Sequence, residues 1–178
     1  LFVSNHQTYF ADAAAMLHVF YSSLNGNDNI DDCSYLWYLK LNIYFIAAQE
    51  TMQSGWLPKI FSYAGSISVQ RTWRLRNENV NRNLNMNDVD NISKALNDGW
   101  VVTFPQGTTA PWAPVRKGTA HIIKKNKPLV VPVVIDGFRD AFDKKGLMIR
   151  KTGVNLSVQI KDPMKLDYDQ NSIDDIVR

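Results

Sequence analysis

A histidine and an aspartate lie near the start of the chain, at His6 and Asp12, directly after the apolar run 1–3. A neutral imidazole can take a proton from a hydroxyl, and a carboxylate that binds its second nitrogen fixes the tautomer that this requires. If the chain turns after Asn5 and a helix begins near Asp12, both side chains converge on one pocket. Asp12 would serve equally well as the N-cap or first-turn acid of that helix. The pair therefore predicts base-assisted acyl transfer to a hydroxyl, with a purely structural use of Asp12 as the alternative.

Two later segments add groups that suit an anionic substrate. Segment 65–71 alternates like a short strand and ends at Arg71, whose planar guanidinium matches a phosphate or a carboxylate. Segment 104–109, Phe-Pro-Gln-Gly-Thr-Thr, follows an apolar strand, and Gly107 allows a tight turn with close backbone approach. Both segments predict a strand end that presents polar groups.

Apolar strand candidates alternate with helix candidates along the chain. The strands are predicted at 1–4, 43–48, 66–70, 100–104, 129–135 and 154–160, and the helices at 12–24, 56–64, 87–98, 117–126 and 172–178. This alternation predicts an α/β fold with a mostly parallel central sheet flanked by helices. Pro132 within segment 129–135 indicates an edge strand, a bulge or a strand end. With 178 residues, of which 45% are hydrophobic, we expect a single domain over residues 1–178.

Taken in order, these segments resemble the sequence blocks of the glycerolipid acyltransferase family, whose best-known members are the 1-acyl-sn-glycerol-3-phosphate acyltransferases. The first block of the family is a His, four residues and an Asp, and this chain has one extra residue between its His and Asp. The matching positions are His6 and Asp12 in the first block, Gly65, Ile67 and Arg71 in the second, Phe104, Pro105, Gly107 and Thr108 in the third, Val130 to Ile135 in the fourth, and Lys117 and Gly118 after the third.

Two positions of the third block depart from the family pattern. Gln106 replaces a Glu, which removes a charge but keeps an oxygen acceptor for a substrate hydroxyl. Thr109 replaces an Arg, which removes a cation from the place where the family binds the phosphate of the acceptor. The remaining cationic candidates are Arg71, Arg74, Arg76, Arg116 and Lys117.

The resemblance implies roles for the matched residues. His6 is expected to be the general base, and Asp12 its orienting partner. The expected substrate-binding residues are Arg71, Gln106, Gly107, Thr108 and Lys117, with the backbone amides of Gly107 and Thr108 stabilising the oxyanion. No cofactor and no metal are expected, because the chain has three scattered histidines and one cysteine. His18 and His121 are interpreted as structural.

The expected reaction moves a fatty acyl group from acyl-CoA or an acyl carrier protein to a lysolipid, most simply 1-acyl-sn-glycerol-3-phosphate. Two alternatives stay open: another lipid acceptor, such as an N-acylated amino acid, and a catalytically idle lipid-binding protein of the same fold. The net charge of +3 is modest, and without a recognisable binding motif nucleic acid is not an expected partner. We expect a membrane surface as a partner and a location at the cytoplasmic face of a membrane. Because the chain begins inside a strand and ends at the start of a helix, we also expect it to be the core of a longer protein.

Overall fold

The computed structural model describes residues 1–27, 41–48, 66–69 and 86–177. Its strands are β1 (Phe2–Ser4), β2 (Asn42–Ala48), β3 (Ser66–Val69), β4 (Gly99–Thr103), β5 (Val131–Asp136) and β6 (Ser157–Ile160). Its helices are α1 (Ala11–Leu24), α2 (Met86–Asp98), α3 (Lys117–Asn126), α4 (Phe138–Ala141) and α5 (Ile173–Val177).

The described strands form one six-stranded sheet in the order β3-β2-β4-β1-β5-β6. Every neighbouring pair is parallel except β5 and β6, which are antiparallel. The predicted α/β class with a mostly parallel sheet is therefore confirmed. The carboxyl ends of parallel strands meet at one edge, and ligands of such sheets bind outside that edge. Because β1 lies between β4 and β5, the segments that follow these three strands emerge side by side.

An aromatic cluster joins the central strands to α1. Phe2 on β1 lies 4.6 Å from Phe20 on α1 and 5.1 Å from Trp100 on β4, measured between ring centroids. Val101 and Val102 on β4 are fully buried. Truncating a buried aromatic ring such as Phe20 to alanine costs about 3–5 kcal/mol of folding free energy in proteins. The strand ends therefore rest on a well-packed platform.

The predicted elements recur with small shifts in their bounds. Helix α3 spans the predicted residues 117–126, and the other predicted elements within the described residues differ at each end by no more than three residues. The helix candidate 56–64 lies outside the described residues. The short helix α4 was not predicted. No described helix combines the length and the hydropathy needed to cross a membrane.

Pro132 lies inside the sheet, because β5 has β1 on one side and β6 on the other. The edge-strand alternative is therefore wrong. Pro132 is the second residue of β5, and the pairing with β6 begins one residue later, at Val133 opposite Ile160. A proline near a strand end removes little from the ladder, and of the three alternatives this is the one that the structure confirms.

Candidate active site

The turn that leaves β1, residues 5–12, is fastened to the neighbouring strand by Asn5. Its side-chain amide donates to the Ile135 carbonyl at 2.9 Å, and its Oδ1 accepts the Ile135 N–H at 2.9 Å. The side chain thus pairs with β5 as a backbone unit would. His6 follows directly and is held at the carboxyl edge of the sheet.

Asp12 is fully buried and accepts a set of hydrogen bonds from this turn. Its Oδ2 accepts the backbone N–H groups of Gln7 at 2.6 Å and Thr8 at 2.9 Å. Its Oδ1 accepts the hydroxyl of Thr8 at 2.8 Å. The Nδ1 atom of His6 lies 3.0 Å from Oδ2. Because both carboxylate oxygens of Asp12 accept hydrogen bonds, the hydrogen of this last bond lies on Nδ1 of His6.

Of the structural uses considered for Asp12, the N-cap position is not the one it occupies. Helix α1 begins at Ala11, and Phe10 occupies the N-cap position without a side-chain cap. Asp12 is a first-turn acid, but its carboxylate binds the turn that precedes the helix. The predicted convergence of His6 and Asp12 is confirmed, and the extra residue between them is accommodated in the turn. Their catalytic roles stay predictions.

The His6 ring is positioned from two sides. It stacks on Phe104, which follows β4, with 4.1 Å between centroids and an angle of 22° between planes. Its side chain is 12% exposed. With Nδ1 donating to Asp12, the lone pair lies on Nε2, and no hydrogen bond joins Nε2 to another described residue. Such an imidazole is arranged to accept a proton from an incoming hydroxyl.

The loop after β4 folds back on itself, which changes one prediction. Gly107 adopts φ +62°, and its N–H donates to the Phe104 carbonyl at 2.9 Å. This amide is therefore engaged within the loop, and its role at an oxyanion stays a prediction that requires this hydrogen bond to open. The N–H of Thr108 has no hydrogen-bond acceptor within the described residues, so it is the amide of the pair that stays available.

Gln106 holds the same loop closed. Its Nε2 donates to the Ala113 carbonyl at 2.8 Å, and its backbone carbonyl accepts Nε of Arg116 at 2.9 Å. Its Oε1 has no donor among the described residues. The predicted contact with an acceptor hydroxyl would therefore use that oxygen.

Two predicted cations have different outcomes. Arg71 lies outside the described residues, as do Gly65, Arg74 and Arg76. Lys117 begins α3, and its ammonium pairs with Asp174 of α5 at 2.6 Å, both side chains being well exposed. Lys117 would have to leave this ion pair to bind a substrate, so its proposed role gains nothing from the geometry.

Three further cations, which the sequence did not reveal, border a cavity of about 260 Å³ beside the turn. The cavity is lined by Gln7, Thr8, Thr108, Thr109, Ala110, Arg139, Phe142, Asp143, Lys144 and Arg150. Arg139 donates from Nη2 to the Thr109 carbonyl at 2.7 Å, and its backbone N–H donates to Oε1 of Gln7 at 3.0 Å. A guanidinium thus lies beside Thr109, the position where the family pattern has its arginine. No local pattern revealed this, because Arg139 belongs to the unpredicted helix α4.

The other histidines lie on helices, His18 on α1 and His121 exposed on α3. Across the described ranges, no group of three His, Cys, Asp or Glu side chains is arranged to hold a metal ion.

Comparisons with known proteins address the family. The family model described as Acyltransferase matches residues 1–136, which include the turn 5–12 and the loop after β4. No curated protein matches the chain. Among solved structures, the crystal structure of the 1-acyl-sn-glycerophosphate (LPA) acyltransferase PlsC from Thermotoga maritima is similar at 18% identity, with a TM-score of 0.48. That match covers 99% of this chain and 62% of the other, so this chain spans less than two thirds of its length. Since the family model matches more than half of its residues, the chain belongs to the acyltransferase family.

Proposed function

We propose that the protein transfers a fatty acyl group from a thioester, either acyl-CoA or an acyl carrier protein, to a hydroxyl of a lysolipid. The proposed acceptor is 1-acyl-sn-glycerol-3-phosphate, and the product is phosphatidic acid. The observation that supports this most is the 3.0 Å contact between His6 Nδ1 and the buried Asp12 in a chain of the acyltransferase family. The same contact argues against an idle lipid-binding protein, because lipid binding alone does not need an imidazole held in one tautomer by a buried carboxylate.

In the proposed step, His6 moves one proton from the acceptor hydroxyl to the departing thiolate. Nε2 of His6 takes the proton of the acceptor hydroxyl as its oxygen attacks the thioester carbonyl carbon. The negative charge that forms on the carbonyl oxygen is stabilised by the N–H of Thr108. The intermediate then expels the thiolate, and the proton on His6 passes to the sulfur. Asp12 stabilises the imidazolium between these events.

The phosphate of the acceptor is proposed to bind in the cationic cavity. This cavity is lined by three cationic residues, Arg139, Lys144 and Arg150, and by Thr108 and Thr109. Arginine can bind a phosphate through two parallel hydrogen bonds, and a cation here restores the charge that Thr109 lacks. An N-acylated amino acid offers a carboxylate to the same cations, so the two acceptors have to be separated by experiment.

The test is to incubate the full-length protein with a radiolabelled acyl thioester and a matched panel of acceptors. The panel holds 1-acyl-sn-glycerol-3-phosphate, an uncharged 1-acylglycerol of the same chain length and an N-acylated amino acid. We expect label in phosphatidic acid at the highest kcat/KM. Preferential labelling of the N-acylated amino acid would replace the acceptor, and transfer to none of the three by a folded protein would overturn the function.

A matched pair of variants tests the cavity. Arg139→Gln should raise KM for the phosphate-bearing acceptor by about ten- to a hundredfold, the range for a hydrogen bond to a charged group, and leave donor saturation unchanged. Lys165→Gln removes an exposed cation elsewhere and should change neither. Equal effects of the two substitutions would place the phosphate outside this cavity.

A further inference from the structure

A hairpin of defined shape follows α4, comprising residues 142–151. Phe142 and Ile149 form an antiparallel bridge, and the Asp143 N–H donates to the Met148 carbonyl at 2.9 Å. The Asp143 carboxylate accepts the N–H groups of Leu147 at 2.8 Å and Met148 at 3.0 Å. Hydrogen bonds of the main chain and of one carboxylate therefore hold the tip of the hairpin in its shape.

Those apolar side chains point into water. Leu147 is 48% exposed, Met148 68% and Ile149 67%. Single exposed hydrophobic residues are ordinary on protein surfaces, but three in succession on a fixed tip form a patch that indicates an interaction site.

Cations flank the patch on both sides. Lys144 and Lys145 precede it, Arg150 and Lys151 follow it, and all four are exposed. Asp143 is the acid of the hairpin, and its carboxylate is engaged with the backbone. Apolar side chains framed by lysine and arginine match a bilayer surface, where hydrocarbon lies directly beneath anionic phosphates. An acidic protein surface would match the cations and leave the apolar tip without a partner.

The hairpin is attached to the candidate active site. The N–H of Tyr9 donates to the Lys144 carbonyl at 3.2 Å, and the N–H of Phe10 donates to the Lys145 carbonyl at 2.9 Å. A bilayer bound at the tip would therefore lie next to the turn that holds His6.

We infer that the hairpin 142–151 is a membrane-contact element that inserts Leu147, Met148 and Ile149 into an anionic phospholipid surface. The inference goes beyond the proposed function, since it assigns a surface and a partner rather than a reaction. It also holds for any lipid acceptor, because binding to vesicles needs no turnover.

The experiment reads insertion at the tip itself. Cys33 is the only cysteine of the chain, so Met148→Cys in a Cys33→Ser background of the full-length protein can be labelled with an environment-sensitive fluorophore. Met164→Cys, at an exposed methionine outside the hairpin, is the matched control. With phosphatidylcholine vesicles that contain phosphatidylglycerol, we expect a blue shift at position 148 and none at 164. No shift at 148, or an equal shift at both positions, would overturn the inference.

A second set of variants tests the chemistry of the contact. Replacing all three tip residues with serine should lower the partition coefficient for these vesicles by at least about tenfold, because it removes the inserting groups. Lys145→Gln with Lys151→Gln should abolish the preference for anionic over neutral vesicles. Unchanged vesicle binding in the serine variant, or recruitment of the protein by an acidic acyl carrier protein and not by vesicles, would contradict a membrane contact. Turnover of a short-chain, water-soluble donor and acceptor should persist in the serine variant, which separates this result from a failure of the proposed function.

Discussion

The turn 5–12 and the hairpin 142–151 touch each other through backbone hydrogen bonds, yet they have opposite characters. In the turn, a carboxylate with no exposed surface binds His6, Gln7 and Thr8, so its polar groups are buried and satisfied. In the hairpin, the backbone groups are hydrogen-bonded, whereas the apolar side chains are exposed to water. The buried, hydrogen-bonded turn can hold an imidazole in one orientation. The exposed apolar side chains of the tip would be covered only when a partner binds them. The comparison separates the turn proposed to hold the catalytic base from the hairpin tip proposed to contact a membrane.

Removing the imidazole should give the largest effect. We expect His6→Ala to lower turnover by about 10²- to 10⁴-fold or more, because it removes the proposed base, while leaving the melting temperature close to that of the wild type. Turnover is measured as the initial rate with saturating thioester. The melting temperature is measured by thermal unfolding followed by circular dichroism. His121→Ala, at an exposed histidine on α3, is the matched control and should change neither. Turnover by His6→Ala at the wild-type rate would remove His6 from the mechanism.

The buried carboxylate should show a smaller loss of turnover together with a loss of stability. Asp12→Asn keeps the shape of the side chain but replaces one accepting oxygen with an NH₂ group. That group faces either the Nδ1–H of His6 or the hydroxyl of Thr8. We expect about 1–3 kcal/mol less stability from imperfect pairing and a fall in kcat because His6 loses its fixed tautomer. Denaturant unfolding and steady-state kinetics on the same preparation check both. A destabilised variant with wild-type kcat would leave Asp12 with only a structural use.

The contact between the two regions can be tested at one glycine. Gly146 has φ +74°, and a Cβ there would lie 2.6 Å from the backbone nitrogen of Ala11 and 2.7 Å from Oγ1 of Thr8. Gly153 also has φ +74°, with nothing within 4 Å of its Cβ position. Both Gly→Ala variants force alanine into the left-handed region, at a cost of about 1–2 kcal/mol.

The difference between these two variants isolates the contact. We expect Gly146→Ala to be the less stable and to lose activity, because the new methyl group displaces the hydroxyl that donates to Asp12. Gly153→Ala should keep full activity. Equal stability and equal activity in the two variants would show that the hairpin does not support the turn.

Local patterns account for what the sequence predicted. His6 and Asp12 are near neighbours in the chain, so a turn followed by a helix was enough to bring them together. The sequence also predicted α3 over residues 117–126 as a short helix with mixed faces, and this prediction needed no distant contact. Between residues 104 and 109 the sequence indicated a tight turn, but it did not reveal that the turn consumes the Gly107 amide.

Long-range contacts account for what the sequence did not predict. Arg139 reaches Thr109 from 30 residues further along the chain, and its position depends on Gly137, which precedes α4 as its N-cap residue in the left-handed region. A four-residue helix has too little periodicity to be recognised. The exposed tip of the hairpin was hidden for a related reason: its apolar residues look like any short buried run until the fold places them outside. Sequence patterns thus located the candidate base, and tertiary packing decided which cations and which surface accompany it.

The smallest expected effect concerns the pH dependence of the hairpin tip. The backbone N–H groups of Met148 and then Leu147 hold the pKa of Asp143 below its ordinary value of 3.8. A carboxylate with a lowered folded-state pKa contributes its stabilisation above the unfolded-state pKa and loses it as the pH falls through the folded-state pKa. We therefore expect the tip amides to lose hydrogen-exchange protection when the pH is lowered from about 5 to below the pKa of Asp143, while the amides of α1 keep theirs.

Asp143→Asn is the control, because its amide oxygen can accept both N–H groups and does not titrate, so its tip should keep the same protection across this range. Because Asp143 is partly exposed to water, global stability should change little. Equal acid sensitivity of the wild type and of Asp143→Asn would mean that the carboxylate does not hold the tip, and the contrast between a turn fixed by a buried acid and a hairpin fixed by an exposed one would lose its second half.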